Sequence, residues 1–355
     1  MPGYVILAVF FALLVAVGLA AVLVVNKFIV EDVAPELIIK DDKALREYLK
    51  THTPAEAVAV IKAHPEVDCH QRVHKIGRTY YELNGNKAFT IMNSECQSGF
   101  THGATEAFFR EHGTANLAGS LATICNNDAS AFFDHQCFHG IGHGLMAFND
   151  YDLPESLRGC DLLPRGLESC YSGVFMENVV GAIGIDEAKR RGDNQYHVSS
   201  WLSKDPHYPC NAVEEKYRST CYFFQSSRMF QLNMDAAAVA QTCDGVEQRY
   251  HLQCFASMGR DVGSRNPGLN ANIERDCSFP KLTANQVYCI RGAAENIFWE
   301  PAEQTEAVEL CTSLVRRDFK QQCYSSLASR SRELLGTYER VSFCGSFEPS
   351  YRSIC

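Results

Sequence analysis

Three histidines stand at successive spacings of four in Asp134-His135-Gln136-Cys137-Phe138-His139-Gly140-Ile141-Gly142-His143-Gly144. On a helix this spacing stacks His135, His139 and His143 along one face, where imidazoles can chelate one metal ion. A second pair at the same spacing, His70 and His74, lies in Cys69-His70-Gln71-Arg72-Val73-His74, and His102 stands alone in Thr101-His102-Gly103. Glu106 falls one turn beyond His102, and Glu177 lies further along the chain. Neutral imidazoles with a carboxylate suit zinc, copper or non-haem iron. The candidate ligands are His70, His74, His102, His139 and His143, with Glu106 and Glu177 as ligand or catalytic base. Three protein ligands and an open position would favour catalysis by a hydrolase or oxidoreductase, because a metal acidifies bound water. His135 precedes Cys137 and is expected to face outward, so it is left out. His52, His112, His197, His207 and His251 read as surface or capping residues. A haem held by two histidines is a lesser alternative.

The glycines of this stretch are poor company for a helix, each costing about 1 kcal/mol relative to alanine. Either another segment packs tightly against them or a ligand approaches the backbone. No HExxH, P-loop or GxSxG pattern occurs anywhere in the chain.

What could position such a site is set by the cysteines. There are 16, with no CxxC among them, in a chain of 355 residues. By spacing, Cys125 pairs with Cys137, Cys160 with Cys170, Cys210 with Cys221, Cys243 with Cys254, Cys277 with Cys289, Cys311 with Cys323 and Cys344 with Cys355, each pair enclosing nine to eleven residues. Cys69 and Cys96 pair by elimination. First members recur every 33 to 35 residues, apart from one interval of 50 between Cys160 and Cys210. A period near 34 residues is the mark of a helical solenoid whose units are helix pairs.

Alignment on the second cysteine places an aromatic residue next (Phe138, Tyr171, Tyr222, Phe255, Tyr324) and a small residue three positions on (Gly140, Gly173, Ser257, Gly292, Ser326). The small position lets a neighbouring helix approach closely. Each unit is expected to be a short outer helix stapled to a longer inner one, each bridge contributing roughly 3 kcal/mol in the chain-entropy picture. Six positions after the cysteine stand His102, His143, Met176, Ser227, Arg260, Glu295 and Ser329, counting Cys96 as the first of the series. That line is rich in histidine only at its N-terminal end.

This rhythm resembles the Sel1/TPR class of α/α repeat, and more closely its cysteine-rich secreted members, over about residues 115 to 355. The resemblance implies an architecture and carries no functional residue. The His-Gly steps at His102-Gly103 and His143-Gly144 are similar to segments lining the zinc site of lanthionine-cyclase-like α/α toroids, which implies that the array could close on itself.

The fold class expected is therefore all-α: an N-terminal transmembrane helix, then a cysteine-rich α/α solenoid of ~34-residue repeats. Residues 1–27 form the anchor, from the apolar run Tyr4 to Val25, long enough to cross a bilayer. Residues 28–52 are a tether, 53–181 the His-rich repeats, 182–209 a loop insertion and 210–355 the C-terminal stapled repeats. Thr53-Pro54-Ala55-Glu56 is a capping box opening a helix to about Ala63, and a second helix should run from near Asp68 to Asn84-Gly85. Disulfides behind an export segment place the body outside the cytoplasm, periplasmic or extracellular. A net charge of −9 excludes a nucleic-acid partner. The remaining rival to a metalloprotein is a scaffold that holds a peptide, glycan or partner protein on its concave face.

Overall fold

The helix starts follow local chemistry. Thr53 Oγ1 accepts the Glu56 amide at 3.3 Å and Glu56 Oε2 accepts the Thr53 amide at 2.7 Å, a reciprocal capping box. Asp68 caps the next helix through the Gln71 amide at 3.0 Å. That helix stops at Gly85, whose φ of 58° is costly for residues with a Cβ.

The computed structural model describes residues 34–91, 95–125, 131–190, 199–299 and 303–355. Among them it is all helix and turn: α1 (Asp42–Tyr48), α2 (Pro54–Lys62), α3 (Cys69–Asn84), α4 (Glu95–His112), α5 (Leu117–Ile124), α6 (Ala131–Phe148), α7 (Leu153–Asp161), α8 (Leu167–Arg190), α9 (Glu215–Gln231), α10 (Ala236–Asp244), α11 (His251–Arg265), α12 (Asn270–Asp276), α13 (Thr283–Ile297), α14 (Gln304–Ser313), α15 (Arg317–Leu334) and α16 (Thr337–Gly345). The expected anchor at residues 1–27 lies outside the described residues. Among those described, no helix is long and apolar enough to cross a membrane.

All eight cysteine pairs are those expected. Cys69 is bonded to Cys96, Cys125 to Cys137, Cys160 to Cys170 and Cys210 to Cys221. Further along, Cys243 is bonded to Cys254, Cys277 to Cys289, Cys311 to Cys323 and Cys344 to Cys355. Short outer helices α7, α10, α12 and α14 are stapled at their C-terminal ends to long inner helices α8, α11, α13 and α15. On the inner side, Cys221 of α9, Cys254 of α11, Cys289 of α13 and Cys323 of α15 are all buried. Being disulfide-bonded, they have no thiolate to offer a metal. They belong to the scaffold and not to a functional site. The aromatic residue after each second cysteine fills the core: Phe138, Phe255 and Tyr324 are fully buried, each such side chain contributing about 1.5–3 kcal/mol of apolar burial.

Inner helices pack side by side in the order α3, α4, α6, α8, α9, α11, α13, α15, and α15 packs back against α6. The Arg330 guanidinium of α15 lies 5.3 Å from the Phe132 ring of α6 and 4.7 Å from Trp299, whose ring is 5.6 Å from Phe132. Six inner helices, α6 to α15, thus form a closed ring, and the α3–α4 pair is attached to it through α4.

Three sequence expectations need correction. Residues 28–52 are not a tether throughout. Ile38 and Leu45 are fully buried, and Arg72 of α3 donates from Nε to the Ile38 carbonyl at 2.6 Å and pairs with Asp42. A Pro-containing segment of mixed polarity still carries enough apolar residues to cover the end of the α2–α3 layer. Second, the segment 182–209 does not begin as a loop: α8 continues to Arg190, in keeping with the helix formers Glu187, Ala188, Lys189 and Arg190. Third, two staples do not join helix pairs. Cys210, the partner of Cys221, sits in a turn before α9, and Cys355 ends a short 3₁₀ segment, Pro349–Ile354.

Candidate metal centre

Three helices bring the histidines together where the N-terminal helix pair joins the ring. His70 and His74 come from α3, His102 from α4, and His139 and His143 from α6. Their rings form one cluster. His70–His74, His70–His102 and His74–His102 centroids are 4.9, 5.3 and 5.2 Å apart. His102–His139, His102–His143 and His139–His143 are 5.1, 4.3 and 4.9 Å apart, and His74–His143 is 5.8 Å. In each of the triads His70/His74/His102 and His102/His139/His143, nitrogen atoms lie within 4.8 Å of one another. All five sequence-chosen ligands are therefore neighbours. His135 lies at the edge of the cluster, its ring 5.9 Å from that of His139; it is exposed and meets Ser169 Oγ at 2.7 Å.

The helices come this close because glycine lines their contacts. A Cβ at Gly103 would sit 1.9 Å from the His74 carbonyl oxygen, and one at Gly142 would sit 2.1 Å from that of Cys170. Gly144 is packed against the Phe109 ring. The glycines between the histidines are thus explained by packing, the first of the two alternatives. Just before His102, the backbone of Cys96, Gln97 and Ser98 runs through three consecutive left-handed residues, with φ of 49°, 56° and 59°. This is an uncommon and strained arrangement for side-chain-bearing residues. The turn aims the Cys96 carbonyl at His70.

Four of the five imidazoles are anchored through Nδ1. His70 donates to the Cys96 carbonyl at 2.8 Å, and His74 to Glu106 Oε1 at 3.1 Å. His139 meets Ser172 Oγ at 2.6 Å, and His143 donates to Glu177 Oε2 at 2.7 Å. Ser172 donates its own proton to the Ser169 carbonyl at 2.7 Å, so at His139 it is Nδ1–H that donates. With the protons on Nδ1, Nε2 carries the lone pair in each neutral ring. The His139 and His143 Nε2 atoms are 3.1 Å apart, and the Met176 Sδ is 3.3 Å from His139 Nε2. His139 Nε2 is therefore an acceptor that faces both the Met176 sulfur and the His143 ring. The N···N distance is near the roughly 3.3 Å expected for two bonds of about 2.05 Å at a tetrahedral zinc ion.

His102 differs from the other four. It is 1% exposed, and neither ring nitrogen has a hydrogen-bond partner. An amide- or hydroxyl-like group buried this way costs about 1–3 kcal/mol by mutational measures. Burial, reinforced by the charges of His143, His139, His74 and His70, holds the His102 pKa well below its ordinary value. Burial likewise depresses His139, with His143 the next cause, and it takes His70 down to about 3, helped by His74. Depressed pKa values keep His70, His102 and His139 in the neutral, lone-pair-bearing form that a transition metal requires of its ligands.

The two glutamates support the rings. Glu106 is buried and pairs with Arg78 as well as His74. Burial acts to raise its pKa, but the charges of Arg78 and His74 outweigh this and hold the carboxyl below the usual range. Glu177 Oε1 accepts from the Tyr151 hydroxyl at 3.1 Å, and the Glu177 charge, followed by burial, pushes the Tyr151 pKa up. Sequence reasoning missed Arg78, Tyr151 and Ser172. Met176 was marked only as a departure from histidine in the aligned line, although that alignment places it beside His143. Among the other histidines, His251 is 9% exposed rather than on the surface, with Nε2 2.9 Å from the Val246 carbonyl and Nδ1 3.2 Å from Asn285. That is a packing histidine with both nitrogens satisfied. His112 meets Tyr81 at 3.1 Å, and His52 stacks on Tyr48.

Comparison with models of known families, with curated proteins and with solved structures gave no match, so the reading of this centre rests on its residues alone.

Proposed function

We propose that this chain is an extracytoplasmic metalloprotein that holds a transition metal in the cluster of His70, His74, His102, His139 and His143. The single observation that carries this reading is His102: a wholly buried imidazole with both nitrogens unpartnered, encircled by four imidazoles. A histidine serving only the core is expected to resemble His251, with its nitrogens bonded. The donors are imidazoles with a thioether nearby, which suit copper or zinc better than hard cations. Metal bound here would supply a redox centre or a Lewis acid.

Glu106 and Glu177 act in this reading as positioning residues, because both accept Nδ1–H and fix the ring orientation. Neither is left as an unengaged base beside the cluster. Of the two reaction classes the ligands fit, oxidoreduction is therefore favoured over hydrolysis. Eight disulfides fit an oxidising compartment, and the apolar run Tyr4 to Val25 is proposed to anchor the body to the membrane.

The test is elemental analysis of the full chain, purified with its disulfides intact. Stoichiometric copper, zinc or iron, with less of it held by His143→Ala, is the expected result. Absence of any such metal, with the wild type failing to take up added copper(II) or zinc(II), overturns the reading and leaves the histidines as packing groups of a binding scaffold.

A further inference from the structure

We infer that the cluster is a two-metal centre in which His102 is the shared bridging ligand. This rests on the metal reading above and goes beyond it in number, ligand assignment and asymmetry. The candidate ligand atoms fall into two triangles, His70/His74/His102 and His102/His139/His143, whose common member is His102. A single ion bound by His102 would take one of its nitrogens and leave the other buried without a partner, retaining a penalty of about 1–3 kcal/mol. Two ions, one on each nitrogen, satisfy both.

The anchoring pattern supports this assignment. The four outer imidazoles are each fixed through Nδ1, by Cys96 O, Glu106, Ser172 and Glu177. Each can therefore present Nε2 to one metal only. His102 has no such anchor and keeps both nitrogens for the centre. Filling the second position displaces the N–H proton of the neutral His102 ring, and that proton passes to the buffer. No other bond is broken.

The two positions differ in softness. The His139/His143 side has the Met176 thioether 3.3 Å from His139 Nε2. The His70/His74 side is backed by the Glu106–Arg78 ion pair. A thioether favours copper(I) and other soft ions, whereas imidazole alone accepts zinc or copper(II). The His139/His143/Met176 position is thus the one that holds copper on reduction.

The experiment loads the full, disulfide-intact chain with copper(II) after chelation, removes free ion and counts metal per chain. Paramagnetic resonance then reports whether copper ions are magnetically coupled. The wild type should hold two ions with a coupled or silent signal. His74→Ala and His143→Ala should each hold one ion with an isolated-copper signal, and His102→Ala should weaken both positions at least tenfold. Met176→Leu should keep two copper(II) ions but lose selective retention of copper(I) after reduction. One ion per chain, lost alike in His74→Ala and His143→Ala, overturns the two-metal assignment while leaving the metal reading intact. Two ions without coupling overturn the bridge. No metal in any form overturns both. Circular dichroism of each variant separates ligand loss from unfolding.

Discussion

The contact between α6 and α8 and that between α11 and α13 are built alike at the backbone and differ in what lines them. In α8 a Cβ on Gly173 would lie 1.9 Å from the His139 carbonyl oxygen; in α13 one on Gly292 would lie 1.9 Å from that of Ala256. Both pairs of helices are as close as glycine permits. Six positions after the cysteine, the first region carries His143 and Met176, the second Arg260 and Glu295. Arg260 is satisfied by the Phe223 carbonyl at 3.0 Å and Ser227 Oγ at 2.8 Å, and Glu295 by Arg291 at 2.8 Å. In the histidine region the same line faces His102, whose two ring nitrogens have no partner. Close approach is thus a property of the architecture, while the cluster of imidazoles around an unpartnered His102 lies at one end of it.

Acid should break this contrast most strongly. His70, His102 and His139 have folded-state pKa values below the ordinary 6.5. In the metal-free protein the unfolded chain binds more protons there, so stability is fully present above about pH 6.5 and falls as pH drops below it. Each of the three contributes about 1.4 kcal/mol per pH unit of loss, down to its folded pKa. Denaturant unfolding between pH 7 and 5 measures this slope. His102→Gln should flatten it by about one proton, and metal loading should steepen acid-dependent metal release instead.

Overpacking should hurt the two regions equally. Gly173→Val and Gly292→Val each drive carbon into a backbone carbonyl and should cost roughly 3 kcal/mol in denaturant unfolding, with or without metal. A much smaller loss in the histidine region would show that its helices are held apart by a bound ion.

The supporting carboxylates come next. Glu177→Gln and Glu106→Gln should weaken metal binding about 10- to 100-fold, the usual cost of losing a histidine's outer partner. Glu295→Gln, in α13 at the place of Met176 in α8, should leave metal content unchanged and shift stability by no more than about 0.5 kcal/mol. The smallest effect belongs to ring closure. Arg330→Ala removes a cation–π contact between α15 and α6 and should cost about 1 kcal/mol, read as a shift in denaturation midpoint without change in metal content.

Much of this was legible along the chain because it is local. Capping at Thr53 and Asp68, the cysteine rhythm and the i, i+4 spacing of His70/His74 and His139/His143 depend on a few adjacent residues. The packing of residues 35–48 onto α3 was not legible, since a short segment of mixed polarity reads alike as tether or as cover. Closure of the array was suggested only by the resemblance of the His-Gly steps, because it depends on the small rotation accumulated from one helix pair to the next. The Nδ1 anchors Ser172 and Glu177 lie 33 and 34 residues from their histidines, beyond any local pattern.

The sequence by itself pointed to an all-α fold, to seven staples by spacing and an eighth by elimination, and to five histidines as candidate ligands, because periodicity is written at short range. Only the tertiary structure decided that those histidines meet, and that His102 stands in their midst with both nitrogens unpartnered. It also decided that Glu106 and Glu177 hold rings instead of facing the centre. Those outcomes depend on how closely glycine-lined helices approach one another, which no single helix specifies.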